Sequence, residues 1–267
     1  MTNQLQGQVA IVTGSSSGNG RAIALILSNA GATVVCADQQ KNARPEGYER
    51  DLQIDTDDLI RQRGGTARYV QANVGKAPEV ENLIARTVLE FGRLDILVNN
   101  AGVTSELHTI VDETEDQYDT TMTINAKGVW LGCKYAITQM LAQAAGSNGS
   151  RGKIVNVSSI GGLVGVQGAP AYCSSKGAVI SLTRQLALDF APQRINVNAI
   201  CPGYIATAMT RLGLENQDFH RHLNQLTPWP RLGTAQDVAN SVLFFCSPES
   251  EWITGSILAV DGALTAR

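Results

Sequence analysis

The sequence predicts a single α/β domain: a seven-stranded parallel sheet with helices on both faces. Three observations predict it. Apolar runs of strand length alternate with longer helical patterns along the whole chain. Those runs are near-continuous Val, Ile and Leu, as in strands buried on both faces. No linker, repeat or low-complexity block separates them, so 267 residues read as one domain that can bury a substantial core.

The elements follow in order. Val9–Thr13 (VAIVT) is the first strand, and the Gly-rich turn TGSSSGNG leads from it into the helical pattern GRAIALILSNAG. Thr33–Asp38 (TVVCAD) is the second strand, 67–74 (ARYVQANV) the third and 94–102 (LDILVNNAG) the fourth. Segments 153–159, 195–203 and 256–262 complete seven. Strand–helix–strand repetition implies crossover connections and hence parallel pairing. Thr114 with Gln117, and Thr234 with Asp237, are capping pairs that start helices. Three segments exceed simple connectors. Segment 39–55 follows the second strand, and 144–152 (AAGSNGSRG) reads as an exposed loop tip. Segment 204–230 follows the sixth strand, where open α/β sheets hold ligands, and is expected to be a partly helical substrate lid.

Composition excludes several partners. Net charge is −3, and no basic run of five or more occurs, so neither nucleic acid nor an anionic membrane is expected. No apolar stretch approaches the length of about 18 residues needed to span a bilayer. The N-terminus lacks a basic n-region, so no signal peptide is expected. Five cysteines (Cys36, Cys133, Cys173, Cys201 and Cys246) are scattered without a C-x-x-C. They argue against disulfides or zinc and for a reducing, cytoplasmic compartment. His220 and His222 form H-x-H, but in a polar lid they are expected at the surface, and no metal site is predicted.

The turn at 13–20 has the features of a phosphate cradle. Gly14, Gly18 and Gly20 let the chain turn sharply and leave its backbone open to a pyrophosphate. A helix beginning near Gly18 aims its free N–H groups and positive dipole end at that phosphate. The hydroxyls of Ser15, Ser16 and Ser17 are expected to add donors. Its place after the first strand and before a helix favours dinucleotide binding over a merely flexible turn. Asp38, at the end of the second strand, suits the two ribose hydroxyls of adenosine and repels a 2′-phosphate, which favours NAD over NADP. Lys41 and Arg44 lie just downstream and could swing back.

The stretch AYCSSKGA sets Tyr172 and Lys176 one helical turn apart. Tyrosine ordinarily titrates near pH 10, and a nearby ammonium favours its phenolate. The expectation is a proton carrier working near neutrality. Ser158 and Ser159 end the fifth strand; side chains alternate there, so one of the two faces the same crevice.

Taken together, the chain resembles the short-chain dehydrogenase/reductase family, from Gly7 to about Gly262. The family's T-G-x-x-x-G-x-G is matched by Thr13, Gly14, Gly18 and Gly20, and its N-N-A-G by Asn99, Asn100, Ala101 and Gly102. Its catalytic Asn falls on Asn125, its serine on Ser159, thirteen residues before the tyrosine, and its Y-x-x-x-K on Tyr172 and Lys176. Its P-G followed by Thr is matched by Pro202, Gly203 and Thr207. The resemblance implies a single-domain Rossmann fold and reversible hydride transfer between a nicotinamide and a secondary alcohol or ketone. It implies that Tyr172 moves the proton, Ser159 polarises the substrate oxygen, Lys176 assists Tyr172 and binds the nicotinamide ribose, and Asn125 completes a proton relay. The cofactor set it implies is Gly14, Ser16, Ser17, Gly18, Asn19, Gly20, Asp38, Asn73, Val74, Asn100, Ala101, Gly102, Tyr172, Lys176, Pro202, Gly203, Ile205 and Thr207. It also implies a homotetramer, or a homodimer, built on the two long helices that carry Asn125 and Tyr172. Two positions depart from the pattern: Asn19 replaces the usual Ile, and Asn73 the usual Asp beside adenine. Segment 39–55 exceeds the usual connection and is placed to cover the adenosine end.

A non-redox isomerase or lyase, and a cofactor-binding sensor, are the alternatives on this fold. The expected substrate walls, 103–109, 160–169 and 204–230, are largely apolar and suit a neutral or mildly polar alcohol. His108 is expected at the pocket mouth, as a substrate contact or a solvated loop residue. Leu212, Leu214, Phe219 and Trp229 are expected to pack the lid, Trp130 and Cys133 to lie in core or interface, and Cys173 to be a packed neighbour of Tyr172.

Overall fold

The computed structural model describes residues 3–146 and 149–266, so part of the loop at 144–152 lies outside the described residues. Seven strands form one parallel sheet in the order β3-β2-β1-β4-β5-β6-β9. They are β1 (Val9–Thr13), β2 (Thr33–Asp38), β3 (Ala67–Gln71), β4 (Ile96–Asn99), β5 (Gly152–Val157), β6 (Ile195–Pro202) and β9 (Ile257–Val260). Strands β7 (Ile205–Ala206) and β8 (Gly233–Thr234) pair separately beside the lid. The order reverses between β1 and β4, which opens a crevice at their carboxyl ends.

Helices cover both faces. Helices α1 (Gly18–Asn29) and α9 (Ala235–Cys246) pack on one, against Val12, Val34, Val98 and Ile200. Helices α3 (Ala77–Phe91), α5 (Gly128–Ala142) and α6 (Pro170–Phe190) pack on the other, against Ile11, Val35, Leu97 and Val197. Successive strand residues therefore serve opposite cores, which is why the strands are apolar without alternation. Each fully buried Leu or Ile contributes on the order of 1.5–3 kcal/mol.

The expected capping pairs form. Thr114 starts α4 (Glu115–Met122) and Thr234 starts α9, each in a reciprocal box with the residue three positions on. The strands are shorter than the sequence predicts at 67–74, 94–102 and 256–262. Their ends turn out of the sheet where Asn73, Asn100 and Asp261 spend side-chain atoms on nearby backbone. Segment 39–55 is an irregular strap before α2 (Thr56–Gln62), and segment 204–230, expected to be a lid, contains α7 (Arg211–Glu215) and α8 (Gln217–Leu226).

Candidate active site

The cofactor end is built on the turn from β1 to α1. Gly14 and Gly18 have φ of 66° and 55°, and Gly20 has no room for a side chain: a Cβ there would stand 2.0 Å from the Gly14 carbonyl oxygen. The loop after β4 braces the turn. Thr13 Oγ1 accepts from the Asn100 and Ala101 amides, and Asn100 Nδ2 donates to the carbonyls of Thr13 and Gly14. Ser17 precedes α1 without making a side-chain cap, and Asn19 Oδ1 is buried with no hydrogen-bond partner among the described residues. A cradle closed to side chains, at the positive end of a twelve-residue helix, fits a pyrophosphate.

The hydroxyls of Ser15 and Ser16 are committed as donors to backbone, whereas Ser17 accepts and, among the described residues, keeps its O–H free. Ser15 and Ser16 donate to the Ala37 and Gln40 carbonyls, and Ser17 Oγ accepts from the Arg44 amide. The irregular strap supplies the last two partners, Gln40 and Arg44, because its backbone groups have no ladder to join. Asp38 lies beside the turn, its carboxylate accepting from the Ser16 and Gln39 amides at 3.1 and 2.8 Å. Lys41 does not swing back to it; its ammonium sits among Asp55, Asp57 and Asp58 at 3.3, 3.4 and 2.8 Å. Asn73 Oδ1 accepts from the Gly75 amide, which leaves the oxygen one lone pair for another donor. Val74 packs against Gly128. Beyond β6, the Gly203 amide donates to Val260, Ile205 is buried in β7, and the Thr207 methyl lies over Gly18.

The chemical end lies where β5 meets α6. Ser158 Oγ donates to the Lys176 carbonyl at 2.8 Å and is thereby committed to the helix. Ser159 is the serine that faces Tyr172 and hydrogen-bonds to it, while its oxygen accepts from the Gly161 amide. The turn at Ile160–Gly162 lies tight on α6; a Cβ at Gly162 would stand 2.7 Å from the Lys176 carbonyl oxygen. Lys176 Nζ lies 5.7 Å from the centre of the Tyr172 ring and donates to the Val157 carbonyl at 2.9 Å.

Burial lowers Lys176 to about 8. Burial also raises Tyr172 above its ordinary value, and the hydrogen bond with Ser159 opposes that rise. The sequence leads one to expect Lys176 to lower Tyr172. In the protein alone the cost of burying a phenolate dominates, and the ammonium is aimed at Val157.

Asn125 sits in a π-helical turn, Thr123–Lys127, between α4 and α5. Such turns re-aim single residues within a helix. Both Nδ2 hydrogens are used: Oδ1 accepts from the Val103 amide, and Nδ2 donates to the Val103 carbonyl and Ser175 Oγ. Asn125 Oδ1 and Lys176 Nζ both lie within 4 Å of where a Gly102 Cβ would stand.

Two acidic residues were not legible from sequence. Glu113 Oε1 accepts from the Ala171 amide and lies 3.2 Å from His108 Nε2. It caps the start of α6, where Ala169 has no side chain to do so. His108 is therefore neither solvated nor loose: its side chain is 12% exposed and, through Glu113, braces the start of α6. Glu49, in the strap, accepts from the Gly18 amide. Both contacts span more than 30 residues and leave no local pattern.

In the lid, Phe219 packs on Gly213 and Leu214 is buried, whereas Trp229 is 59% exposed; the Leu212 side chain lies outside the described residues. His220 and His222 are exposed, on different faces of α8. Cys133 is buried beside Asn99 and Asn156, Trp130 is half-exposed, and Cys173 Sγ accepts from the Val166 amide.

Comparison with known proteins places this geometry. The family model described as enoyl-(acyl carrier protein) reductase matches residues 14–265. The chain is 37% identical to 2-(R)-hydroxypropyl-CoM dehydrogenase of Xanthobacter autotrophicus, over 97% of this chain and 99% of that one. It is 33% identical to the 3-oxoacyl-[acyl-carrier-protein] reductase of Thermotoga maritima, over 98% and 99%. Among solved structures, one provisionally assigned as an NAD(P)-dependent gluconate 5-dehydrogenase from Beutenbergia cavernae, with bound NADP, superposes with a TM-score of 0.88 at 30% identity, covering 100% of both chains. A strand order that reverses at the glycine turn, a Ser–Tyr–Lys cluster beside it and relatives matched from end to end lead to one assignment: this chain belongs to the short-chain dehydrogenase/reductase family, whose members are NAD(P)-dependent oxidoreductases.

Proposed function

We propose that this chain is an NAD-dependent dehydrogenase that interconverts a secondary alcohol and its ketone, on a neutral or mildly polar substrate. The observation that carries the reading is the convergence of Ser159, Tyr172 and Lys176 beside a turn that fits a pyrophosphate. The nicotinamide, when bound, accepts or supplies the hydride. In oxidation Tyr172 takes the proton of the substrate hydroxyl as it passes its own to neutral Lys176; in reduction it gives its proton to the carbonyl oxygen. Ser159 donates to the same oxygen and fixes its distance from Tyr172. Lys176, held at about 8 by burial, exchanges its proton near neutrality and refills Tyr172. Asn125 acts by placement, tying the loop at Val103 to Ser175, one residue from Lys176.

The carboxylate of Asp38 supports NAD, because it accepts from ribose hydroxyls and repels a 2′-phosphate. The engagement of Lys41 with three aspartates supports the same reading. The exposed apolar side chains of Leu107, Leu163 and Val164, near the catalytic end, support a substrate of low charge, closed in by the lid at 204–230. Five free cysteines support a reducing, cytoplasmic setting, and the family resemblance a homotetramer.

A panel of secondary alcohols, polyols and ketones, followed by NADH absorbance, tests the reading. At least one neutral pair should turn over, with a lower KM for NAD(H) than for NADP(H). Tyr172→Phe should lose at least about 100-fold in kcat and still bind NADH. Near-normal turnover in that variant, or a clear NADP preference, contradicts the assignment.

A further inference from the structure

The strap at 39–55 crosses back over the glycine turn and engages it at three successive residues. Ser16 Oγ donates to the Gln40 carbonyl at 2.6 Å, and the Arg44 amide donates to Ser17 Oγ at 2.7 Å. The Gly18 amide donates to the carboxylate of Glu49. That amide is the first N–H of α1, at the positive end of the helix, where an anion is favoured. The chain's own carboxylate thus stands on a donor that the cofactor's phosphate needs.

The arrangement is held at a cost. The other oxygen of that carboxylate, Glu49 Oε2, is buried without a hydrogen-bond partner among the described residues. An anionic oxygen in that position is destabilising. A Cβ at Gly47 would stand 2.0 Å from Oε2, so glycine there leaves the carboxylate its place. Contacts elsewhere keep the strap down. At its far end, the buried Arg21 donates from Nη2 to the Asp51 carbonyl at 2.9 Å. At its tip, the anchor comes from the lid: Arg211 Nη1 donates to the carbonyls of Glu46 and Gly47 at 2.9 and 3.1 Å, and its guanidinium lies 5.0 Å over the Tyr48 ring.

We propose that the strap is a gate on the dinucleotide site. Glu49 competes with the cofactor's pyrophosphate for the Gly18 amide, and Arg211 latches the strap's tip to the lid. The dinucleotide enters and leaves only when the latch opens, so cofactor exchange is coupled to the state of the lid. This gate rests on the dinucleotide reading of the glycine turn. Neither Glu49 nor Arg211 carries the chemistry.

Stopped-flow fluorescence of NADH binding to the full chain tests it, with Glu49→Gln and Arg211→Ala as independent variants. Glu49→Gln removes the competing charge at nearly constant shape and should speed association and tighten Kd by about two- to five-fold. Arg211→Ala should speed association and dissociation together, each by about five-fold or more, with a smaller change in Kd. Wild-type rates in both variants overturn the gate while leaving the cofactor site intact. Failure of the wild type to bind either NADH or NADPH overturns the cofactor reading, and the gate falls with it.

Discussion

Lys176 stands at about 8 because its ammonium is buried, with the Val157 carbonyl as its hydrogen-bond acceptor. An unfolded lysine titrates near 10.5, so between 8 and 10.5 the unfolded chain binds more protons than the folded one. Stability from this residue is therefore greatest above 10.5 and is lost as pH falls through about 8. The gap corresponds to about 3 kcal/mol. Lys176→Met removes the titration, so wild type should gain about 3 kcal/mol on the variant between pH 7 and pH 10.5 in denaturant unfolding. A difference that stays flat across that window means the ammonium is not buried at that cost. A buried ammonium that titrates near neutrality suits the role proposed for Lys176 beside Tyr172. Residues of this kind are legible in sequence because their spacing is local: four residues set Tyr172 and Lys176 on one helical face. Glu113 and Glu49 are not, because each acts on an amide of an element far away in sequence.

At the scale of elements, the helix starts and the turn from β1 to α1 follow from local chemistry. Capping boxes at Thr114 and Thr234 start helices where the sequence places them. The strand ends at 67–74 and 94–102 do not, since the apolar pattern continues past the last ladder bond while Asn73 and Asn100 bond to nearby backbone. The π turn at Asn125 has no composition signal, and it holds the Asn125 amide where it meets Val103 and Ser175 at once. The glycine turn gives the sharpest test at this scale. A Cβ at Gly20 meets both the Gly14 carbonyl oxygen at 2.0 Å and Asn100 Nδ2 at 2.5 Å. Neither neighbour can yield, because Asn100 holds Thr13 and Gly14. Gly20→Ala should therefore cost about 1–3 kcal/mol of stability and weaken NADH binding by about 100-fold, measured by calorimetry on protein shown folded by circular dichroism. Wild-type affinity in that variant means that the phosphate is held elsewhere.

The whole molecule presents two apolar regions that its own core leaves exposed. One lies on α5 and α6, where Trp130 is 47% and Leu188 80% exposed. The other lies at the open edge of the sheet, where among the described residues β9 pairs only with β6, and Leu258, Phe244 and Trp252 reach solvent. A homotetramer with two kinds of interface would cover both, each joining a patch to its own copy across a two-fold axis. The net charge of −3 is small enough not to oppose association. Sedimentation should then give a particle of four 28.4 kDa chains at micromolar concentration. Leu188→Asp and Leu258→Asp place a charge in the two regions separately. Each should yield dimers rather than monomers, because the other interface survives. The two dimers should differ: Leu258→Asp keeps the contact built on the helices that carry the catalytic residues and should retain most turnover, whereas Leu188→Asp should lose more. A monomeric wild type, or a tetramer that survives both substitutions, means that these faces are not where the copies meet.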